Sequence, residues 1–380
     1  MAATVTWEVL RDLATFRAEQ GCAISLYLDL DPSESPTAEA VDTRSNALLD
    51  AVGRWESANQ SELTRGQREG MHADLDRLRA FFEDEFSREG SHGFAVFCDG
   101  LDGAWHTLAL SDRVPDLSLV DSEFYLAPLV PLVGRDDGVL VAFVGRERGD
   151  LYRLRAGRLE ETVEQHDDTP GRHDQGGWSQ ARYQRHIDKL VQDHLRDVAE
   201  LLDRQVRRLR GARVVLVASE ETRAELEEEL SHEVRNALIG WTSADAHAGT
   251  SELYEAVEPL VERWREEQES ELAERWQEAA GRNGRAAAGW PQTLEAASDG
   301  RVEVLLYEEG ADRHAWRCPK CGRLSADPGP CPLDGTGMEE NDHGLDLAVH
   351  RTLANGGKVS ALRSRHDLEP VEGIGALLRY

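Results

Sequence analysis

The amino-acid sequence predicts an α/β protein of three domains, each a mixed sheet with helices, the last carrying a cysteine-rich insertion. Three observations lead there. The 380 residues exceed what one ordinary hydrophobic core organises. Short apolar runs of strand length alternate with longer segments whose apolar residues recur every three or four positions. Hydrophobic residues make up 40% of the chain, enough for packed cores, and no apolar run approaches the length of a membrane span.

Residues 1–134 form the first predicted domain. Its opening, "MAATVTWEVLRDLATFRAEQ", has the pattern of an amphipathic helix and lacks the basic region, apolar core and cleavage site of a signal peptide, so a cytoplasmic protein with no membrane contact is expected. "AISLYLDLD", "GFAVFCDG" and "AWHTLALS" are strand-like, and "TAEAVDTRSNALLDAVGRWE" and "ADLDRLRAFFEDEF" carry helical apolar spacing. The second domain, residues 135–275, opens with "GVLVAFVGRERGDLYRLRAGRLEE", read as two strands around a turn at Gly149 and Asp150. A polar, glycine-rich loop follows. Then Tyr183, Ile187, Leu190, Val191, Leu195, Val198, Leu202 and Val206 recur at helical steps, which predicts a helix of many turns with one buried stripe, ended by Gly211. "ARVVLVASE" is a buried strand, an acidic helix comes next, and "SELYEAVEPLVERWREEQESELAERWQEAA" is a further helix. In residues 276–380, helix, turn and strand occur twice, and "GIGALLRY" closes the chain as a strand.

The charge is strongly acidic: 43 basic against 72 acidic residues, a net charge of −29. Long-range attraction to nucleic acid is not expected of such a chain, and its carboxylates read as a solvated surface. Lys189, Lys320 and Lys358 are the only lysines; arginine supplies the rest of the basic side chains. Locally, "LLDRQVRRLRGAR" and the group Arg148, Arg153 and Arg155 are basic, available either for short-range phosphate contact or for pairing with the neighbouring "EETRAELEEEL". Five cysteines are few for the length, which suits a reducing compartment.

Three of those cysteines cluster in "CPKCGRLSADPGPCPLDG". Cys318 and Cys321, two residues apart and followed by glycine, have the form of a zinc knuckle. The second half, "CPLDG", repeats "CPKCG" with Asp334 in place of the second cysteine, so Cys318, Cys321, Cys331 and Asp334 are the predicted ligands of a structural zinc. His314 and His343 compete for the fourth position, and a metal-free turn is the alternative to the whole site. No general base is placed nearby for a catalytic zinc.

The glycine pair before a long helix, the knuckle insertion, the helix in "GWPQTLEAASDGRVEVLLY" and the closing "EGIGALLRY" together resemble the archaeo-eukaryotic class 1 release factor and Pelota superfamily. The likeness covers roughly residues 138–380 and is nearest to the bacterial branch, which includes the Balon-type ribosome hibernation factors. In that family a GGQ loop reaches the peptidyl transferase centre, where its glutamine helps water attack the peptidyl-tRNA ester. The family pattern aligns with Gly176, Gly177, Ser179, Arg182, Tyr183 and Arg185. Trp178 stands in the place of the glutamine, and Gln180 follows two residues on, in the first turn of the predicted helix.

The resemblance assigns RNA contact to Gly176, Gly177, Trp178, Ser179, Arg182 and Arg185, and hydrolysis, if any, to Gln180. The chemistry of the residues agrees with close RNA contact: glycines permit approach and positive φ, tryptophan stacks on an unpaired base, and a helix start presents N–H groups to phosphate. The alternative is a surface loop whose tryptophan packs on its own domain. His166, His173 and His186 read as scattered surface histidines. The resemblance implies a non-catalytic factor that binds idle or stressed ribosomes at the A site. It also implies a translational GTPase, elongation factor Tu in the Balon branch, as partner of the C-terminal domain, and the decoding region as the target of the N-terminal one. A peptidyl-tRNA hydrolase using Gln180, and an acidic zinc-knuckle adaptor without ribosomal role, are the two alternatives.

Overall fold

The computed structural model describes residues 5–33, 35–88, 91–110, 112–133, 138–155, 158–166, 178–209, 211–282 and 284–380, with side chains described outside 163–188. The chain forms two compact units, one of residues 1–135 with 268–380 and one of residues 136–267. The two stretches read from the sequence as separate end domains thus belong to a single unit.

The first unit begins with α1 (Trp7–Thr15), β1 (Ala23–Asp29), α2 (Ala38–Ala58), α3 (Arg65–Ala80), β2 (Gly93–Asp99), β3 (Ala104–Leu110) and β4 (Leu117–Asp121). Hydroxyls of Thr6, Thr37 and Thr64 cap the three helices, and Gln67 completes a capping box with Thr64. The sheet runs β3-β2-β1-β4, and all of its pairings are antiparallel. This departs from the expected mixed sheet for a topological reason. Two helices between β1 and β2 return the chain to the end where β1 stopped, so β2 must run the other way; one helix would have given a parallel pair. Both central strands are buried throughout, because Ala23, Tyr27, Ala95 and Phe97 face one core while Ile24, Leu26, Phe94 and Val96 face another.

The second unit holds β5 (Val139–Val144), β6 (Arg148–Arg155), β7 (Arg158–His166), α4 (Trp178–Arg208), β8 (Arg213–Ala218), α5 (Glu220–Glu229), α6 (His232–Ala237), β9 (Leu238–Thr242) and the start of α7 (Thr250–Gly281). Its sheet, β7-β6-β5-β8-β9, is mixed: β5, β6 and β7 pair antiparallel, and β8 pairs parallel to β5 and β9. The apolar stripe of α4 (Val191, Leu195, Val198, Leu202) covers Leu140, Ala142, Val214 and Leu216 on one face. Leu253, Val257 and Val261 of α7 cover Val141, Phe143, Val215 and Val217 on the other.

The hairpin turn lies between Val144 and Arg148, not at Gly149 and Asp150, which are inside β6 opposite Val144 and Phe143. Close packing explains the glycine. A Cβ on Gly149 would stand 2.3 Å from Cγ2 of Val198, so only glycine lets α4 lie this near the strand.

The first unit resumes with β10 (Ala286–Ala288), α8 (Gly289–Ser298), β11 (Val302–Glu308), β12 (Ala315–Arg317), β13 (Leu324–Ser325), β14 (Glu339–Asn341), α9 (Gly344–Ala354), β15 (Lys358–Leu362) and β16 (Ile374–Leu378). The larger sheet, β10-β16-β11-β15, is mixed, with β11 and β15 parallel. β13-β12-β14 form a small separate sheet. Leu10, Tyr27, Phe97, Phe124 and Leu129 share one hydrophobic core with Trp290, Leu294, Leu305, Leu345 and Val349. Among the described residues, no helix is long and apolar enough to cross a membrane.

Candidate metal centre and the loop-bearing helix

The cysteine insertion consists of two turns of the same construction. In the first, the Cys318 N–H donates to Arg323 O and the Gly322 N–H to Cys318 O, each at 2.8 Å. In the second, the Cys331 N–H donates to Thr336 O at 2.7 Å and the Gly335 N–H to Cys331 O at 2.8 Å. Gly322 and Gly335 adopt φ of +73° and +74°, the left-handed conformation that closes each turn. The repetition seen in "CPKCG" and "CPLDG" is therefore structural.

The two turns bring four ligand atoms together. Those of Cys318, Cys321, Cys331 and Asp334 all lie within 4.8 Å of one another. Cys321 Sγ stands 3.5 Å from Cys331 Sγ, and Cys318 Sγ stands 3.8 Å from both carboxylate oxygens of Asp334. Bonds of ~2.3 Å in a tetrahedron put ligands about 3.8 Å apart, so the set fits a zinc-sized ion. His314 is engaged with Glu340 and Asp342, and His343 with Asp312 at 3.2 Å, and neither histidine is in the cluster.

Local electrostatics favour a cation there. Burial resists charge on Cys318, yet the N–H groups of Cys321 and Lys320 hold its thiol below the ordinary value. Burial and the neighbouring sulfurs push Cys331 up, against the N–H groups of Leu333 and Asp334. Asp334 is held low by the Thr336 N–H, which donates to it at 3.0 Å. Ionised sulfurs and a carboxylate this close repel one another, and a bound dication relieves that conflict.

Of the loop residues, Gly176, Gly177 and His173 lie outside the described residues. Trp178 is the first residue of α4, so Ser179 and Gln180 belong to its first turn, and Arg182, Arg185 and His186 follow on the same helix. Their side chains, like that of His166 at the end of β7, are outside the described set. Most of the described arginines that looked available for phosphate have partners. Arg148 pairs with Asp150, Arg155 with Glu160, Arg204 with Glu200, and Arg207 with Asp203 and Glu233. These partners come from the same strand or helix, from the adjacent β7 or from α6, while the acidic α5 holds Arg196 through Glu229.

One polar cluster was not singled out from sequence. Asp346, buried on α9, accepts the N–H groups of Leu126 at 2.7 Å and Ala127 at 2.9 Å, and His350 one turn on meets Phe124 O at 2.6 Å. Burial pushes the Asp346 carboxyl up to about 6, with His350 acting against the shift. The signal was present: an aspartate and a histidine four apart in the otherwise apolar "GLDLAVHRTLA".

Comparison with known proteins gives a consistent set of likenesses. The family described as bacterial archaeo-eukaryotic release factor family 10 matches residues 125–262, a region that contains the loop and α4. Peptide chain release factor subunit 1 of Archaeoglobus fulgidus is 26% identical over 285 residues, covering 68% of this chain and 70% of that protein. Its namesake in Methanopyrus kandleri is 26% identical over 212 residues, covering 53% and 51%. Among solved structures, an archaeal translation termination factor covers 99% of each chain at 16% identity and a TM-score of 0.27. Archaeoglobus fulgidus Pelota covers 78% of this chain and 82% of its own at 16% identity and a TM-score of 0.36.

Proposed function

Because the chain is a member of the bacterial branch of the archaeo-eukaryotic release factor and Pelota superfamily, we propose that it works on the ribosome, occupying the A site with its middle segment. The observation that carries this reading is the identity to peptide chain release factor subunit 1 across 68% of the chain. In it, the GGWSQ loop points to the peptidyl transferase centre. Gly176 and Gly177 give close approach to ribosomal RNA, Trp178 stacks on an unpaired base, and Ser179 and the start of α4 meet phosphate. Arg182 and Arg185, three apart on one helix and so on one face, add the charge.

The favoured role is non-catalytic: a factor of the cytoplasm that blocks the A site of idle or stressed ribosomes, delivered with elongation factor Tu or another translational GTPase. Support comes from Trp178 standing where the family has its glutamine, and from Gln180 falling within a helical turn rather than at a loop tip. Purified protein is expected to cosediment with vacant ribosomes, and Arg182→Glu with Arg185→Glu to weaken this. Absence of cosedimentation at cellular salt overturns the reading.

A second reading, peptidyl-tRNA hydrolysis by Gln180, is favoured by the name that the curated relatives share. It requires peptide release from ribosome-bound peptidyl-tRNA that disappears in Gln180→Ala. Equal release by variant and parent removes it.

For the metal centre, zinc is the proposed ion, held by Cys318, Cys321, Cys331 and Asp334. Three sulfurs with one carboxylate suit a borderline-soft dication, whose contribution here is to cross-link two turns. Metal analysis of the purified protein tests this, with about one zinc per chain expected.

A further inference from the structure

β12 and β14 are three residues long and β13 only two, too short to hold a register unaided. Both longer strands leave the metal cluster directly: Arg317 precedes Cys318, and Glu339 follows the second turn. Each strand grips the chain where β4 stops, β12 through Arg317 at its cluster end and β14 through Asn341 at its far end. The Arg317 side chain, 12% exposed, donates from Nη1 to Glu123 Oε2 at 2.7 Å and from Nη2 to Ser122 Oγ at 3.0 Å, and lies 3.8 Å from Asp121 Oδ1. Asn341 Nδ2 donates to Asp121 Oδ2 at 2.9 Å. Three consecutive residues, Asp121, Ser122 and Glu123, are thus held by side chains flanking the cluster. The next residues, Phe124, Leu126 and Ala127, are held independently by α9.

Resting on the metal centre proposed above, we infer that the ion is the clasp of this contact: metal occupancy decides whether Arg317 and Asn341 hold residues 121–123. Bound metal fixes the ends of β12 and β14 and so aims both side chains. Its loss lets the three short strands fray, and Arg317 loses the geometry of its two-point grip on Ser122 and Glu123. Opening stays local, because the insertion gives only Ala315, Leu324 and Ala326 to the shared apolar core, and the α9 contacts lie outside it. Asp121 and Glu123 on one side and Glu340 to His343 on the other also wall a cavity of about 360 Å³, so the ion sets the shape of that cavity. Asp334 and Cys321 are exposed, and a carboxylate is a harder ligand than the thiolate it replaces, which makes occupancy responsive to available zinc.

Hydrogen exchange on the full-length protein tests the clasp, comparing the zinc-loaded form with protein stripped by a chelator, in the absence of ribosomes. Stripping is expected to speed exchange across residues 117–123 by about tenfold, the loss of one charge-assisted contact, while β11 is unchanged. Arg317→Met and, separately, Asn341→Ala are expected to raise exchange there with zinc still bound, and stripping Arg317→Met to add little. The clasp is refuted if faster exchange stays confined to residues 318–337, if both variants keep the parent's protection, or if titration with zinc alone shows no binding. None of these outcomes bears on ribosome binding, which is measured separately.

Discussion

Asp346→Asn is expected to stabilise the first unit at neutral pH, although it removes a buried charge that sits beside a histidine. Asp346 is 8% exposed, and its carboxylate accepts two backbone N–H groups through one oxygen, Oδ1. An asparagine oxygen accepts the same pair. What the substitution deletes is the ionised state, which burial disfavours strongly enough to push the carboxyl up to about 6 from an ordinary 3.8. The sign follows from proton uptake. A carboxyl raised in the folded state adds stability below the unfolded value, and that stability is lost as pH rises through the folded one. At ~1.4 kcal/mol per pH unit, the interval between the two values corresponds to an upper bound of about 3 kcal/mol. His350, 3.6 Å from Oδ2, offsets part of this when protonated. Urea-dependent hydrogen exchange of the Val349 and Leu353 amides in α9 reports on this unit alone. Parent and variant should be matched near pH 4, with the variant ahead by about 1–3 kcal/mol at pH 7. A variant less stable by the same amount at every pH would show that the carboxylate contributes as an ion, and the reasoning would fail.

Further expectations concern other parts of the chain. Gly149→Ala forces a methyl to 2.3 Å from Val198 and should destabilise the second unit by about 1–3 kcal/mol in urea unfolding. Thr64→Ala removes the hydroxyl half of the α3 capping box, a loss of about 1 kcal/mol, read as faster exchange in the first turn of that helix. Asp334→Cys completes the second knuckle and should raise zinc affinity by about tenfold in chelator competition, whereas Asp334→Ala should lower it. Ribosome binding should weaken only shallowly with salt: two arginine–phosphate contacts give a log–log slope of about −1.4 to −1.8, and a slope of about −6 would require a basic surface.

Much of this architecture was legible because local patterns carried it. Apolar steps along Leu190 to Val206 located the buried stripe of α4, and the echo of "CPKCG" in "CPLDG" located a four-ligand cluster before any distance was known. Other features were set by tertiary context. Gly149 carried the ordinary signature of a turn, and only the approach of Val198 from a helix 49 residues later explains it as a strand residue. The antiparallel course of β2 depended on two helices pairing between strands, which apolar spacing does not report. Likewise Asp346, Arg317 and His350 meet partners about 200 residues away or more, so their types were visible but not their purpose.

The surface charge and the proposed target have to be reconciled. A chain of net charge −29 approaches RNA against long-range repulsion, which salt screens within about 10 Å. Five of the described arginines of β6 and α4, Arg148, Arg155, Arg196, Arg204 and Arg207, add little attraction, because each is paired with a carboxylate. Whatever holds such a molecule on ribosomal RNA must therefore act at contact distance, through stacking and backbone approach, rather than through a basic field. A glycine pair followed by tryptophan is suited to that, since neither function needs charge. The proposed translational GTPase would fit the same accounting, since a partner that brings the factor to its site would replace the electrostatic steering that an acidic protein lacks. On the proposed reading, Trp178 is the residue through which an anionic factor would obtain affinity, a base-stacking group standing where the resemblance places a water-activating glutamine.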